Sequence, residues 1–516
     1  MRERRAVRTV AIMTLATLFS KILGALRNAL FSAPFGTGQE AVAFTAAQRI
    51  PLSFFDILLS AAITGCFIPA YNSFREDLQP KRRDSFTAAF LLTVTLATAV
   101  LTAVGEIFAP QLIFTTVPSL DPDTHTLTVR LLRIMFPSVI FIGGCYVMSG
   151  ILQSRGSFIL PALVSSGSNL LAAAYLIFSG RFSKRTAIVY LAAVYTLSWA
   201  AQFLTLLIPL VFRGGFPRSR PSFKTKEFRD AVAGIPPAAL GAWLGPAALL
   251  IGTFFASTSS THGGVSVFDY SYNIYIIAAG VLTHGISGYI FPSISRLAGL
   301  NDPGGFSQTV KKALLSSLFL TLPFSALLFI LSGEAVSVLY LRDSFTAADA
   351  FSVSGLLRVM ALSVPFYSVA DILIRVFYAK KLRGVPIIAA LCGIAATVSA
   401  TFVSQKLSDG NILSVGIGYG AGQLTAASVM LFSLRKADIH FSVKGALRHI
   451  SRTAFPALFA IIMMTAVYSI AKNDPVRAGT TKNILVSAAV FTAGAIPYLT
   501  GFLYKKLKHT GKEDRT

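Results

Sequence analysis

Seven basic residues interrupt otherwise apolar stretches: Lys21, Arg27, Arg49, Arg130, Arg133, Arg358 and Arg375. A cation deep in a membrane helix costs at least ~2.5–3.5 kcal/mol, so it faces a cavity, finds a partner or snorkels to the interface. Lys21 and Arg27 share the run Ser20-Lys21-Ile22-Leu23-Gly24-Ala25-Leu26-Arg27-Asn28. No acid occurs between Glu3 and Glu40, so neither has a helical partner three or four residues on. Arg49 precedes Ile50-Pro51, and proline bends a helix and frees a carbonyl, a defect tolerated where it lines a cavity. Asp56 lies two turns further along the same face, within reach of Arg49 through a water. Lys21, Arg27 and Arg49 read as a cationic pocket in the N-terminal half; the alternative is packing against polar groups of another span. Such a pocket wants an anion, and a guanidinium fork suits phosphate.

The other in-span charges read differently. Arg130, Arg133 and Arg358 stand near span ends, where snorkelling explains them. Arg375 follows Asp371 by four, the spacing of a structural ion pair. Asp269, Tyr270, Tyr272, Asn273 and Tyr275 crowd one half of a later span and either line a cleft or form an interfacial aromatic belt. Buried carboxylates, which a proton- or sodium-driven cation exporter would want in the N-terminal half, reduce to Asp56 and Glu106. There is no Walker A motif, no Ser/His/Asp set and no metal-ligand spacing, so no enzyme, cofactor or metal site is expected. Cys66, Cys145 and Cys392 lie far apart in apolar surroundings and suggest no disulfide framework.

The elements that must position these residues follow from composition. Of 516 residues, 54% are hydrophobic and 13% charged, with a mean hydropathy of +0.65. Soluble domains carry about 25% charged residues; half that fraction excludes a soluble enzyme. The chain reads as an all-α polytopic membrane protein. About fourteen spans are expected, near 8–34, 41–72, 87–114, 127–153, 158–179, 187–212, 232–257, 266–295, 309–332, 348–378, 385–405, 411–433, 451–471 and 482–504. The first is too long for a signal peptide and offers no clear small-residue cleavage site. Of the 46 lysines and arginines, 31 fall at the two termini and in the loops that an even count places on the same side. That side is expected to be cytoplasmic, with both termini there. The net charge of +24 thus reflects topology and affinity for anionic lipid, with no nucleic-acid partner implied.

A repeat is visible at an offset near 225. Leu131-Leu132-Arg133-Ile134-Met135 recurs as Leu356-Leu357-Arg358-Val359-Met360, each followed by an apolar stretch and a basic-Gly pair, Arg155-Gly156 or Arg383-Gly384. Phe44 and Pro69 match Phe268 and Pro292. Two six-helix lobes in parallel repeat are expected: residues 1–220 (spans 1–6) and 221–440 (spans 7–12). Residues 441–516 add spans 13 and 14 and a basic tail. Two such lobes with a cleft between them suit alternating access.

These residues resemble a known family. The first-span run Ser20 to Arg27, Phe44 through Arg49-Ile50-Pro51, Phe67-Ile68-Pro69, Phe291-Pro292-Ser293-Ile294-Ser295-Arg296 and the paired Leu-Leu-Arg segments are similar to MurJ (MviN) proteins. These are the lipid II flippases of the multidrug/oligosaccharidyl-lipid/polysaccharide exporter superfamily. The resemblance implies a carrier in the bacterial inner membrane that moves undecaprenyl-pyrophosphate-linked disaccharide-pentapeptide from the cytoplasmic to the periplasmic leaflet for peptidoglycan synthesis. It also implies other cell-wall synthesis proteins as partners, and a groove for the polyprenyl tail on spans 13 and 14. Lys21, Arg27 and Arg49 carry over as head-group ligands. Two positions depart: Asn28 stands where the family usually has an acid, and Asn273 where it has an arginine. Tyr272, Asn273 and Tyr275 then offer hydrogen bonds to the head group, and the expected site comprises Lys21, Arg27, Asn28, Arg49, Asp56, Tyr272 and Asn273. Competing readings are a flippase for another polyprenyl-pyrophosphate-linked oligosaccharide, a non-transporting scaffold that has lost key charges, and an embedded transferase lacking the carboxylates that a metal-pyrophosphate site needs.

Overall fold

The computed structural model describes residues 2–52, 57–74, 80–212, 215–300, 302–437, 439, 443–471 and 473–513. Among the described residues every ordered element is helical. Among the described residues eight helices are long and apolar enough to cross a membrane, and the pair Ala347–Ala361 and Val364–Ala379, bent by 50°, makes a ninth when taken as one span. The other five expected spans coincide with the helices Arg2–Phe35, Lys226–Ser257, Val443–Ala471 and Gly479–Glu513 and with a broken series that starts at Gln39–Ile50. The chain is a multi-pass membrane protein.

The second expected span is not one helix. After Gln39–Ile50 come Ile57–Ala62, a π-helical turn Ile63–Phe67, and Ile68–Ser73. Pro51 and Pro69 each deny the backbone a donor, and a local π adjustment is one way a membrane helix accommodates such a defect. Phe67 from this turn packs on Phe86 and Phe90, with ring centroids 5.7 and 4.9 Å away, and all three are buried. Glycine admits the turn on its other side: a Cβ on Gly150 would meet Ile63 and Phe67 at 2.9 and 3.0 Å.

The duplication extends from sequence into local structure. Pro122–Met135 starts 225 residues before Ala347–Ala361. Asp121 caps the first by accepting from the Thr124 N–H at 2.9 Å; Thr346 and Asp349 close a capping box on the second. Each helix ends just after its repeated pentapeptide and a new one starts, at Ser138 or Val364. Each break frees carbonyls in apolar surroundings, and a hydroxyl from the preceding long helix answers: Thr102 donates to Phe136 O at 3.5 Å, and Ser325 to Ala361 O at 2.7 Å. Arg133 and Arg358 reach back toward the same long helices. Arg133 Nε donates to Glu106 O at 3.3 Å, and Arg358 Nε to Ser332 Oγ at 3.1 Å.

By internal contacts the chain forms two units. One comprises Met1–Thr258, His262–Ser266 and Arg342–Phe345; the other comprises Ser259–Thr261, Val267–Leu341 and Thr346–Thr516. This division differs from the boundary at residue 220 drawn from the repeat. The helix Lys226–Ser257 opens the second copy in sequence, yet packs in the first unit against Ile57–Ala62 and the π turn. Phe228 and Ala231 are buried there with Cys66, Phe67 and Tyr71, and Arg82 pairs with Glu227 at 3.1 Å. Residues 441–516, set apart by the repeat, belong by contact to the second unit.

In the second unit a core from Ile294, Phe306, Val310, Leu373, Phe377 and Met430 fills the end nearest the Lys380–Arg383 loop. A smaller cluster of Leu331, Ala460, Met464, Val486 and Val490 joins Val443–Ala471 and Gly479–Glu513 to the Pro303–Ile330 helix. The helices Gly384–Leu407 and Leu413–Phe432 approach closely at glycine: a Cβ on Gly393 would meet Gly422 O at 3.0 Å.

Candidate functional site

The first unit carries the cations. Lys21 is half-buried in the Arg2–Phe35 helix, which lies along Ile159–Phe178; Asn169 Nδ2 donates to Ser20 O at 3.4 Å beside it. A Cβ on Gly24 would meet Asn169 Nδ2 at 3.6 Å, an ordinary van der Waals contact, so the two helices lie side by side here without glycine being required. Two turns on from Lys21, Arg27 is half-buried and Asn28 is 8% exposed. Arg27 places both Nε and Nη2 on Asn28 Oδ1, at 3.2 and 2.8 Å. The amide oxygen fixes the guanidinium plane as a carboxylate would, without cancelling its charge.

Arg49 is 7% exposed, in the last turn of Gln39–Ile50 beside Pro51. Its helix packs on Pro122–Met135. The helices bearing Arg27 and Arg49 meet through Phe31 and Phe44, whose ring centroids are 5.3 Å apart. Phe31 is one turn from Arg27 and Phe44 five residues from Arg49. Only three residues, Gly36 to Gly38, separate the two helices. Asp56, the proposed water-linked partner of Arg49, lies outside the described residues.

The second unit carries the polar aromatics. Tyr272 and Asn273 are half-buried. Asn273 Nδ2 donates to Asp269 Oδ2 at 2.8 Å, so the amide engages the acid one turn back. Tyr272 faces Tyr275 and Tyr419, with centroids at 6.3 and 6.1 Å, and Tyr275 meets Tyr419 at 5.4 Å and Tyr367 at 6.1 Å. Ser363 Oγ donates to the Tyr275 hydroxyl at 3.0 Å. Tyr270 packs on Tyr340 at 4.8 Å. Tyr270 and Tyr275 are fully buried, so this is an interior tyrosine cluster and not an interfacial belt. Arg375 and Asp371 form the expected pair, Nε to Oδ2 at 3.1 Å. Tyr367 and Tyr419 join Tyr275 from spans some ninety and a hundred and forty residues away, and nothing in their own surroundings marks them.

Among the described residues no group of three or more His, Cys, Asp or Glu side chains could hold a metal ion. The polar groups described above act by charge and hydrogen bonding. The first unit presents fixed cations and the second hydroxyls and amides.

The family model described as "Lipid II flippase MurJ" matches residues 31–478. The chain belongs to this family. A probable lipid II flippase MurJ of Bdellovibrio bacteriovorus is 29% identical over 410 residues, covering 78% of this chain and 77% of that one. The lipid II flippase MurJ of Burkholderia cenocepacia is 26% identical over 457 residues, 85% of this chain and 86% of its own. In fold, the chain is similar to a lipid II flippase MurJ in an inward closed conformation, with a TM-score of 0.81 at 21% identity, covering 96% of this chain and 99% of that one. An inward-facing MATE transporter of the MOP superfamily matches at a TM-score of 0.69 and 15% identity, over 82% of this chain and 98% of its own. Asn28 and Asn273, the two positions where the resemblance leads one to expect a charged residue, both make local contacts. Each amide is paired with a neighbour one residue or one turn away, Arg27 or Asp269.

Proposed function

We propose that this chain is a lipid II flippase: it carries undecaprenyl-pyrophosphate-linked disaccharide-pentapeptide across the bilayer by alternating access, with no covalent chemistry. The observation that carries this reading is the family match over residues 31–478. Arg27 and Arg49, held in apolar surroundings on touching helices, give the reading its chemistry. A guanidinium prefers to meet phosphate with two parallel N–H donors, and the low dielectric around these two strengthens the attraction. Lys21 adds a point charge two turns along the same helix. The pyrophosphate docks on these cations while the polyprenyl tail stays in lipid. Tyr272, Asn273 and Asp56 complete the head-group contacts in this reading.

Lysine and arginine placement supports a cytoplasmic location for both termini and for the loops holding most of the basic residues, in the inner membrane of a bacterium. Anionic lipid heads on that side are further partners, as are other cell-wall synthesis proteins. The test is lipid II translocation in proteoliposomes, wild type beside Arg27→Ala/Arg49→Ala. Transport by the wild type and none by folded double mutant is expected; equal transport by both would overturn the assigned roles.

A further inference from the structure

Glu334 is fully buried, in the first turn of the Ser332–Tyr340 helix, at the end of the second unit opposite the Lys380–Arg383 loop. It stands over the apolar cluster of Leu331, Met464 and Val486. Its Oε1 accepts from Asn473 Nδ2 at 3.0 Å. Asn473 Nδ2 also donates to Asn483 Oδ1 at 2.9 Å, and Asn483 Nδ2 to Pro475 O at 2.7 Å. The Tyr468 hydroxyl lies beside the same carboxylate. The 473–475 segment rests directly on this helix, since a Cβ on Gly333 would meet Pro475 Cγ at 2.9 Å.

Three polar atoms in this corner are buried with no hydrogen-bond partner: Glu334 Oε2, Asn473 Oδ1 and Ser337 Oγ. Ser337 follows Glu334 by three, on the same face of the helix. All three are oxygens that accept. Among the described residues no lysine or arginine forms an ion pair with Glu334; the nearby Arg358 is engaged with Ser332 Oγ. Asn473 and the Tyr468 hydroxyl stand by this carboxylate as neutral groups, and a buried carboxylate without a counter-charge is among the costliest groups to leave uncompensated. Hard cations seek converging oxygens of this kind. One carboxylate with neutral amide and hydroxyl oxygens balances a single positive charge and falls short of a divalent site.

We propose that Glu334, Ser337 and Asn473 form a site for a monovalent metal cation of the sodium class, which locks the Val443–Ala471 and Gly479–Glu513 hairpin onto the rest of the second unit. Glu334 and Ser337 belong to the Ser332–Tyr340 helix, whereas Asn473 belongs to the turn of the hairpin, so an ion shared by all three ties the two together. The site lies apart from the cations assigned to the head group and does not depend on that assignment.

The test is thermal unfolding of the purified full chain in detergent as sodium chloride replaces choline chloride at constant ionic strength. An ion that binds only the folded state raises Tm as its concentration climbs, for instance from about 1 mM to about 200 mM. Wild type is expected to gain several degrees, Ser337→Ala to need more sodium for the same gain, and Glu334→Gln to lose the dependence. Ser337→Ala keeps every hydrogen bond seen here, so it reports even if Glu334→Gln fails to fold. A wild-type Tm indifferent to sodium, lithium and potassium would overturn the proposal, because a trapped water satisfies the same atoms without ion dependence. A sodium response that survives unchanged in Ser337→Ala and Glu334→Gln would overturn it too, placing the ion elsewhere.

Discussion

Arg27 spends two of its donors on one atom, Asn28 Oδ1, at 3.2 Å from Nε and 2.8 Å from Nη2. A carboxylate in that place would hold the arginine equally well and cancel it. The amide holds it without adding a negative charge of its own. In the proposed reading Asn28 positions Arg27, and its effect should fall on substrate handling more than on folding.

Asn28→Ala is expected to slow lipid II translocation about tenfold, the equivalent of losing one hydrogen bond to a charged group at ~1.5 kcal/mol. Tm should change little. Arg27→Lys keeps the charge without the fork and should lose more than Asn28→Ala does. Translocation rates in proteoliposomes decide it, and full activity in Arg27→Lys would remove the case for a two-donor contact.

Ser325→Ala should destabilise the second unit. It strips the 2.7 Å hydroxyl from Ala361 O at the break between Ala347–Ala361 and Val364–Ala379. A buried carbonyl left unanswered costs ~1–3 kcal/mol. Thr102→Ala, at the equivalent break of the first copy, should cost less, because its bond to Phe136 O is 3.5 Å long. Equal losses of Tm in the two variants would mean that the hydroxyls do not cap these breaks.

Gly422→Leu should separate the helices Gly384–Leu407 and Leu413–Phe432. A Cβ at Gly422 already collides with Thr397 Oγ1 and comes within 2.9 Å of Gly393 O. Overpacking of this kind typically costs ~1–3 kcal/mol. Lower Tm and lower yield of monodisperse protein are expected. Gly384→Ala, where added bulk meets nothing, is the control and should be neutral.

Acid should weaken one helix start selectively. Hydrogen bonds from Thr124 hold the Asp121 carboxyl below the usual carboxylate range. A group whose folded pKa is depressed stabilises fully above its unfolded value, near 4, and loses that contribution as pH falls through the folded one. Asp121→Ala should therefore lower Tm at pH 7, by the ~1 kcal/mol typical of a lost cap, with a smaller difference under strong acid. A gap that widens on acidification would contradict the cap.

What the sequence disclosed was whatever sits close together along it. Lys21, Arg27 and Arg49 stood out because each interrupts an apolar run with no local counter-charge. Spacing did the same for a pair: Asp371 and Arg375 are one helical turn apart, and they meet. The repeat showed wherever a run of similar types survived, as at Leu131–Met135. The Thr102 and Ser325 caps were hidden because the two residues differ in type and each acts across more than thirty residues. Tyr367 and Tyr419 reach Tyr275, and Asn473 reaches Glu334, over ninety residues or more, where no periodicity links the partners. The boundary at residue 220 followed the repeat, and apolar packing of Phe228 and Ala231 followed a different logic.

That packing has a consequence for cutting the protein in two. A fragment ending at residue 220 would leave Cys66, Phe67 and Tyr71 without Phe228 and Ala231, an apolar wound facing lipid or a neighbouring copy. A fragment ending at Thr258 keeps that seam closed. Co-expressed halves divided after Thr258 should therefore reassemble, whereas halves divided at the repeat boundary must first trade a helix. The opening helix of the first copy makes no such trade: Arg2–Phe35 packs on Ile159–Phe178 of its own unit, so the two copies of the repeat close their seams differently.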